Sequence, residues 1–472
     1  MIDFNDKNED NENERRTVSM FAVVELKNFL SFKEVSFDFR KGKKGVKQFI
    51  AIYGENGSGK SNFVQSILFL YQSLFSFRSQ DLLNQLSEKD VEEGPKKIIN
   101  ELLVRLKHSF SLDQYKMIES EGPLEVKYGF QYNGHDGVYE LKYTDQIVYE
   151  KLYYYTGKQK GTLFEISFED GKIQTSFFGK LFLNRRVKKE IELEIQKYWG
   201  KHSFLSILNR ERMEKNKAYI DENYLSYVFD LVDMVNHMAI HYREDPHSES
   251  GKISDKPEGK PQDLMTGKIR KKNEWILRRS EKILKNFFTQ AYADIKDVFY
   301  KTDTQEDKIY YELFVRKMIG GKVRTIPFRY ESAGTQRILE VIQELLGVFC
   351  GATVVYDEID NGIHDLLLKS ILTSMISEIT GQLIITTHNT YLMESVDPKS
   401  VYVINTDYEG NKDVICLDEF PRIQATNNPR AMYLKGQFGG VPITDVIDYD
   451  EIIWQIQENK GENWNGAEPT EA

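Results

Sequence analysis

Residues 51–64 read AIYGENGSGKSNFV. Gly54, four residues, then Gly59-Lys60-Ser61 is the spacing G-x-x-x-x-G-K-S of a phosphate loop. Glycines let successive backbone N–H groups converge on phosphate oxygens without interference from a Cβ. The helix expected from Ser61 aims its positive end at the same anion. Lys60 is placed to reach the β- and γ-phosphates, and the Ser61 hydroxyl to ligate Mg²⁺. Asn56, Gly57 and Asn62 complete the candidate cradle. The context fits: QFIAIYG (48–54) reads as a buried strand, and SNFVQSILFLYQSLF (61–75) carries apolar residues at helical spacing. ATP with Mg²⁺ is the ligand this arrangement predicts.

Two further strand ends belong with the loop. GATVVYDEID (351–360) is a short apolar run closing on Asp357 and Glu358. Side chains alternate along a strand, but at its end the chain can turn both acids toward one site. Asp357 is assigned to Mg²⁺ and Glu358 to polarising the attacking water. QLIITTHN (382–389) is a second buried strand, read as ending in His388. The interval suffices for one helix and a return strand, which would set His388 beside the γ-phosphate.

ESAGTQR (331–337) breaks an apolar context and runs into the helical pattern ILEVIQELL (338–346). Ser332, Gly334 and Gln336 read as a helix start kept bare. A single phosphate loop needs no second phosphate-facing helix start, so this one suits a nucleotide held by another copy of the chain.

The order of these motifs resembles the ABC-type ATPase family, whose signature motif closes over ATP held by the partner subunit's phosphate loop. ESAGTQ is then a degenerate signature in which Ser332 and Gly334 match by role and Thr335 replaces the second glycine. Asp360, in IDNGIH (359–364), falls at the family's D-loop position. No glutamine is assigned to the family's Q-loop, since Gln65 lies on the phosphate-loop helix itself. VVELKNFLSFKEVSFDF (23–39) resembles the first hairpin of the SMC-related branch that includes RecF and the OLD ATPases. The segment from Ser61 to Ser332 lacks the sustained heptads of a long SMC arm. The whole is most similar to the RloA-like group of phage-defence ATPases, with the PARIS ATPase AriA and the Septu-type ATPases, over about residues 20–445. YLKGQFGGVPIT (433–444) resembles that group's C-terminal stretch.

The resemblance implies an α/β fold: a P-loop NTPase of ABC ATPase type with an antiparallel β subdomain and a helical insertion. It implies an ATP-hydrolysing switch that closes as a homodimer, or a higher homo-oligomer, around ATP. A separate effector encoded nearby, and DNA or a phage protein as trigger, are the expected partners. Two alternatives stay open: a RecF- or SMC-like DNA-binding repair ATPase, and an OLD-like nuclease component. Against the nuclease, only some sixty residues follow the His388 strand before the tail, while a Toprim domain needs roughly a hundred.

Composition bounds the rest. The chain has 472 residues, 40% of them hydrophobic, and a net charge of −10, which does not advertise wholesale binding to nucleic acid. The basic stretches NRRVKK (184–189) and GKIRKK (267–272) read as solvated faces. Two cysteines, Cys350 and Cys416, exclude a disulfide framework, and no long uncharged apolar run appears, so a cytoplasmic protein without membrane contact is expected. The expected divisions are an acidic disordered tail (1–17), an N-terminal ATPase lobe with an antiparallel meander (18–178), a helical insertion (179–295) with a mobile linker at 243–272, a C-terminal ATPase lobe (296–420), and a C-terminal extension and tail (421–472). DVIDYDE (445–451) reads as a solvated tail segment.

Overall fold

The structure is a computed structural model that describes residues 18–42, 45–88, 111–242, 251–254, 263–420, 428–441 and 449–458. The expected tail 1–17 lies outside these residues. Contacts divide the chain into a large unit, residues 1–440, and a small one, residues 441–472.

The phosphate-loop strand Phe49–Gly54 is buried at all six positions. A strand with both faces covered has no polar side, so its sequence is a continuous apolar run. It lies inside a seven-stranded sheet of order Gly251–Ser254, Ala239–Tyr242, Thr353–Tyr356, Gln382–Thr386, Phe49–Gly54, Val401–Thr406, Lys412–Cys416. The five central strands are parallel, and the two edge strands run antiparallel to their neighbours. The Asp-Glu strand and the histidine strand are adjacent, and the latter also pairs with the phosphate-loop strand. The carboxyl ends of all three therefore share one edge, where α/β sheets bind ligands.

A second seven-stranded sheet is fully antiparallel. It starts from the hairpin Ser19–Phe29 and Phe32–Asp38 and continues through five strands between Leu124 and Phe177. His135–Tyr143 buries every second side chain, the signature of a sheet with one covered face. The long helix Lys60–Glu88 packs between the sheets. Phe63, Val64, Ile67, Leu68, Phe69 and Leu70 are all buried, because a sandwiched helix has no solvent face. Burial of each large side chain contributes on the order of 2 kcal/mol. Gln382, fully buried, stitches the sheets together: its amide accepts from the Phe21 N–H at 2.7 Å and donates to the Phe21 and Lys47 carbonyls, both at 2.9 Å. A third, four-stranded sheet between Thr266 and Pro327 is backed by the helix Glu274–Ala291.

Three readings of the sequence are corrected. The region expected as a helical insertion (179–295) contains the strand Ala239–Tyr242, which pairs in parallel with the Asp-Glu strand. A strand of four residues, three of them buried, is too short to display a period. The stretch expected as a loop at 243–272 contains two strands, Gly251–Ser254 and Thr266–Arg270. Each joins a sheet through backbone hydrogen bonds, which composition does not reveal; residues 243–250 and 255–262 lie outside the described residues. In the small unit, Tyr449–Glu458 is a helix where a tail was expected, with Tyr449, Ile452, Ile453 and Trp454 exposed. Among the described residues no helix is long and apolar enough to cross a membrane.

Candidate nucleotide site

The loop between Gly54 and Lys60 wraps closely enough to need its glycines. Gly59 has φ +107°, and a Cβ there would stand 2.7 Å from the Phe32 ring. Lys60 folds back over the loop and donates to the Gly54 and Glu55 carbonyls, each at 2.9 Å. Burial pushes its ammonium below the usual lysine range, opposed by the charges of Asp357, Glu358, Asp360 and Glu55. A buried cation facing four acids, with only carbonyls bonded to its head, is suited to receive phosphate.

A cavity of about 750 Å³ opens in front of the loop. Asn56, Gly57, Gly59, Lys60, Ser61, Asn62 and Glu358, all named from the sequence, line it together. Of the remaining candidates, Asp357 meets the site through Ser61, whose hydroxyl hydrogen-bonds its carboxylate. Asp357 is 4% exposed, and burial pushes its carboxyl up, opposed by the bonds from Thr386 and Ser61. A buried carboxylate beside a hydroxyl is the oxygen pair that a hard cation takes up. Among the described residues no cluster of three or more His, Cys, Asp or Glu could hold a metal unaided. The Asp357–Ser61 pair fits Mg²⁺, which binds through one or two protein oxygens and completes its shell with phosphate and water.

Thr386 was not singled out in the sequence, yet it connects both acids. Its hydroxyl donates to Asp357 Oδ1 at 2.5 Å and accepts the Glu358 N–H at 2.8 Å. Glu358 takes φ +47°, the left-handed region, which costs a residue with a Cβ about 1–2 kcal/mol. This is how the chain departs from strand alternation at the sheet edge. Asp360 accepts the His388 N–H at 3.1 Å through Oδ2, and its buried Oδ1 has no partner among the described residues. Burial and the Lys60 charge hold His388 below the usual histidine value, so its ring is neutral at pH 7. Gly54 ends the phosphate-loop strand.

The helix start near 332 is capped rather than bare. Ser332 Oγ accepts the Thr335 N–H at 3.1 Å, and the Gln336 side chain donates to the Arg329 and Glu331 carbonyls at 2.9 Å. Gly334 packs on the turn after Glu358, where a Cβ would stand 3.1 Å from the Gly362 carbonyl. Ser332, Gly334 and Gln336 do not line the cavity formed by their own phosphate loop, and Ser332 is exposed.

The sequence left other cavity residues unassigned. Ser31 comes from the first hairpin turn and Lys412 from the last edge strand. Gln114 sits on the short turn Leu112–Tyr115, with Lys116 following it. Gln114 is the one glutamine among the residues that line the cavity. It carried no recognisable signal because a single turn has no periodicity.

Comparison with known proteins follows the geometry. The chain matches 57% over 47 residues, 10% of its own length, with the chromosome partition protein Smc of Methanocaldococcus jannaschii; the match spans 4% of that protein. Solved structures that align include the Smc head domain with an extended coiled coil bound to the C-terminal domain of ScpA, from Pyrococcus furiosus (14% identity, 89% of this chain, 100% of that chain, TM-score 0.41). Another is the SmcHead bound to the C-winged helix domain of ScpA (15% identity, 84% of this chain, 96% of that chain, TM-score 0.39). The family model described as "AAA domain, putative AbiEii toxin, Type IV TA system" matches residues 49–394, from the phosphate-loop strand to beyond His388. The chain thus belongs to this AAA-domain family of P-loop ATPases.

Proposed function

We propose that the chain hydrolyses ATP and works as a switch: two copies close around ATP, and hydrolysis reopens them. The observation that carries this reading is the separation of two half-sites. The phosphate loop, Glu358 and their cavity form one half, while the exposed Ser332 helix start stands outside that cavity. Apart from the Thr335 N–H, which Ser332 caps, its first-turn N–H groups are offered to phosphates from a second copy, as the resemblance to ABC-type ATPases implies.

Within one half-site the loop amides and Lys60 hold the phosphates and neutralise charge as it builds on them. Ser61 and Asp357 would hold Mg²⁺, which supplies further charge neutralisation when bound. Glu358 accepts a proton from the attacking water. The water oxygen bonds to the γ-phosphorus, and the bond from that phosphorus to the β–γ bridging oxygen breaks, leaving ADP and phosphate. His388, neutral and held by Asp360, is a hydrogen-bond partner for the γ-phosphate. Closure follows from differential affinity: ATP binds the closed pair better and shifts the equilibrium by that difference.

We place the switch in anti-phage defence, upstream of a separate effector, on the resemblance to RloA-like ATPases. The test is phage plating on cells expressing the gene with its neighbours, beside phosphate release by the purified protein. Protection and phosphate release should both disappear in Lys60→Ala. Phosphate release without protection removes the defence role and leaves the ATPase. Wild-type protein that neither binds nor hydrolyses ATP removes the whole reading.

A further inference from the structure

The edge strand Lys412–Cys416 has no part in the motifs discussed so far, yet its first residue reaches the phosphate loop. Lys412 Nζ donates to the Gly57 carbonyl at 2.7 Å and to Ser31 Oγ at 2.5 Å. The preceding turn is pinned by Asp407, whose carboxylate accepts the Glu409 and Asn411 N–H groups at 2.9 and 2.8 Å. The lysine backbone is thereby fixed, and only the side chain spans the gap.

Two features show what this group is for. First, both of its acceptors are neutral, and among the described residues no carboxylate pairs with it. An ammonium held by a hydroxyl and a carbonyl keeps its full charge for an outside anion. It faces the same cavity as the phosphate loop. Second, Ser31 Oγ accepts from both Lys412 and Asn62, the latter at 2.6 Å. A hydroxyl has two lone pairs, so its own hydrogen is left to donate to a further acceptor. Lys412, Ser31 and Asn62 therefore present a charge and a donor to one side of the cavity. That side is not the catalytic one. Lys412 bonds to Gly57 and Ser31, whereas Lys60 bonds to Gly54 and Glu55, and Asp357 and Glu358 are joined through Thr386 on the neighbouring strand.

We propose that Lys412, supported by Ser31 and Asn62, is a second cationic ligand of the nucleotide and holds its α-phosphate and ribose end, while Lys60 holds the β- and γ-phosphates. This rests on the nucleotide reading of the cavity. It adds a contact from a strand remote in sequence, held in place before the nucleotide arrives by the bonds to Gly57 and Ser31.

The test is calorimetric titration of wild type, Lys412→Met, Lys412→Arg and Lys60→Ala with ADP and with a non-hydrolysable ATP analogue, at two salt concentrations. Met keeps the length of the stem and removes the charge. Because the contact lies at the end common to both nucleotides, Lys412→Met should weaken ADP and the analogue by the same factor, about tenfold. It should also flatten the salt dependence, and Arg should restore most of the affinity. Lys60→Ala should instead weaken the analogue more than ADP. Unchanged affinity in Lys412→Met, or loss for the analogue alone, overturns the proposal. So does an Arg variant as weak as Met accompanied by a lower melting temperature of the free protein, because Lys412 would then be a structural brace. Wild-type protein that binds neither nucleotide overturns the nucleotide reading itself. Intact wild-type binding with indifferent Lys412 variants overturns only the role of Lys412.

Discussion

Glu358→Gln should separate closure from chemistry. The substitution keeps side-chain length and removes the charge that accepts the water proton. The backbone at 358 is held by its N–H bond to Thr386 Oγ1 at 2.8 Å, which no side-chain change removes. The cost of φ +47° is the same for Gln as for Glu, so stability should change by less than about 0.5 kcal/mol. Loss of a positioned general base lowers turnover by roughly 10²–10⁴-fold, which is about 3–5 kcal/mol on the barrier. Binding should survive, because Lys60 and the loop amides are untouched. The variant should then accumulate a closed assembly with Mg²⁺-ATP, seen as a mass increase by light scattering or as compaction by small-angle scattering if the copies are already joined. Turnover within threefold of wild type would falsify the assignment of Glu358 as the base. Lost turnover with neither mass increase nor compaction would leave the base and remove the two-copy model. A useful contrast is Glu358→Gly, which should be equally inactive yet more stable, because glycine adopts this φ without strain.

The remaining predictions are as follows. Lys60→Ala should weaken nucleotide binding and abolish phosphate release while the free protein keeps its circular dichroism spectrum; undiminished ATPase activity would end the phosphate-loop reading. Ser332→Asp should keep the helix cap on Thr335 but set a negative charge against the partner's phosphates, so ATP-dependent closure should be lost at unchanged melting temperature; ATPase activity equal to wild type would reduce this stretch to a cap. Thr386→Val should leave the buried Asp357 carboxylate one bond short, lowering stability by about 1–3 kcal/mol in denaturant titration and turnover with it. His202, buried against Phe77 and bonded to Ser76, is lowered to about 4 mainly by burial. Its unfolded value is about 6.5, so the unfolded chain binds the extra proton between these values. Stability should be full above pH 6.5 and fall by about 2–3 kcal/mol toward pH 4; His202→Gln should flatten that part of the profile, and an identical profile would show that His202 does not drive it.

Much of the site was legible because its motifs are backbone devices with fixed spacing. Gly54 to Ser61 needs a strand before it and a helix after it, and both carry unambiguous burial patterns, six buried positions in one and consecutive buried residues in the other. The apolar runs ending at Asp357 and near His388 could be read the same way, since parallel strands buried on both faces leave continuous hydrophobic sequence. Local chemistry alone thus determined the phosphate loop, the acid pair and the first hairpin. Tertiary structure decided what has no local signal. Thr386 becomes the link between Asp357 and Glu358 only because two strands lie side by side in register. Ala239–Tyr242 becomes a core strand only because an open sheet edge was there to receive it. Lys412 joins the cavity from 355 positions away along the chain. A hydrogen bond between distant residues is set by how sheets stack, and one-dimensional periodicity records each element's own environment but not which element it will face.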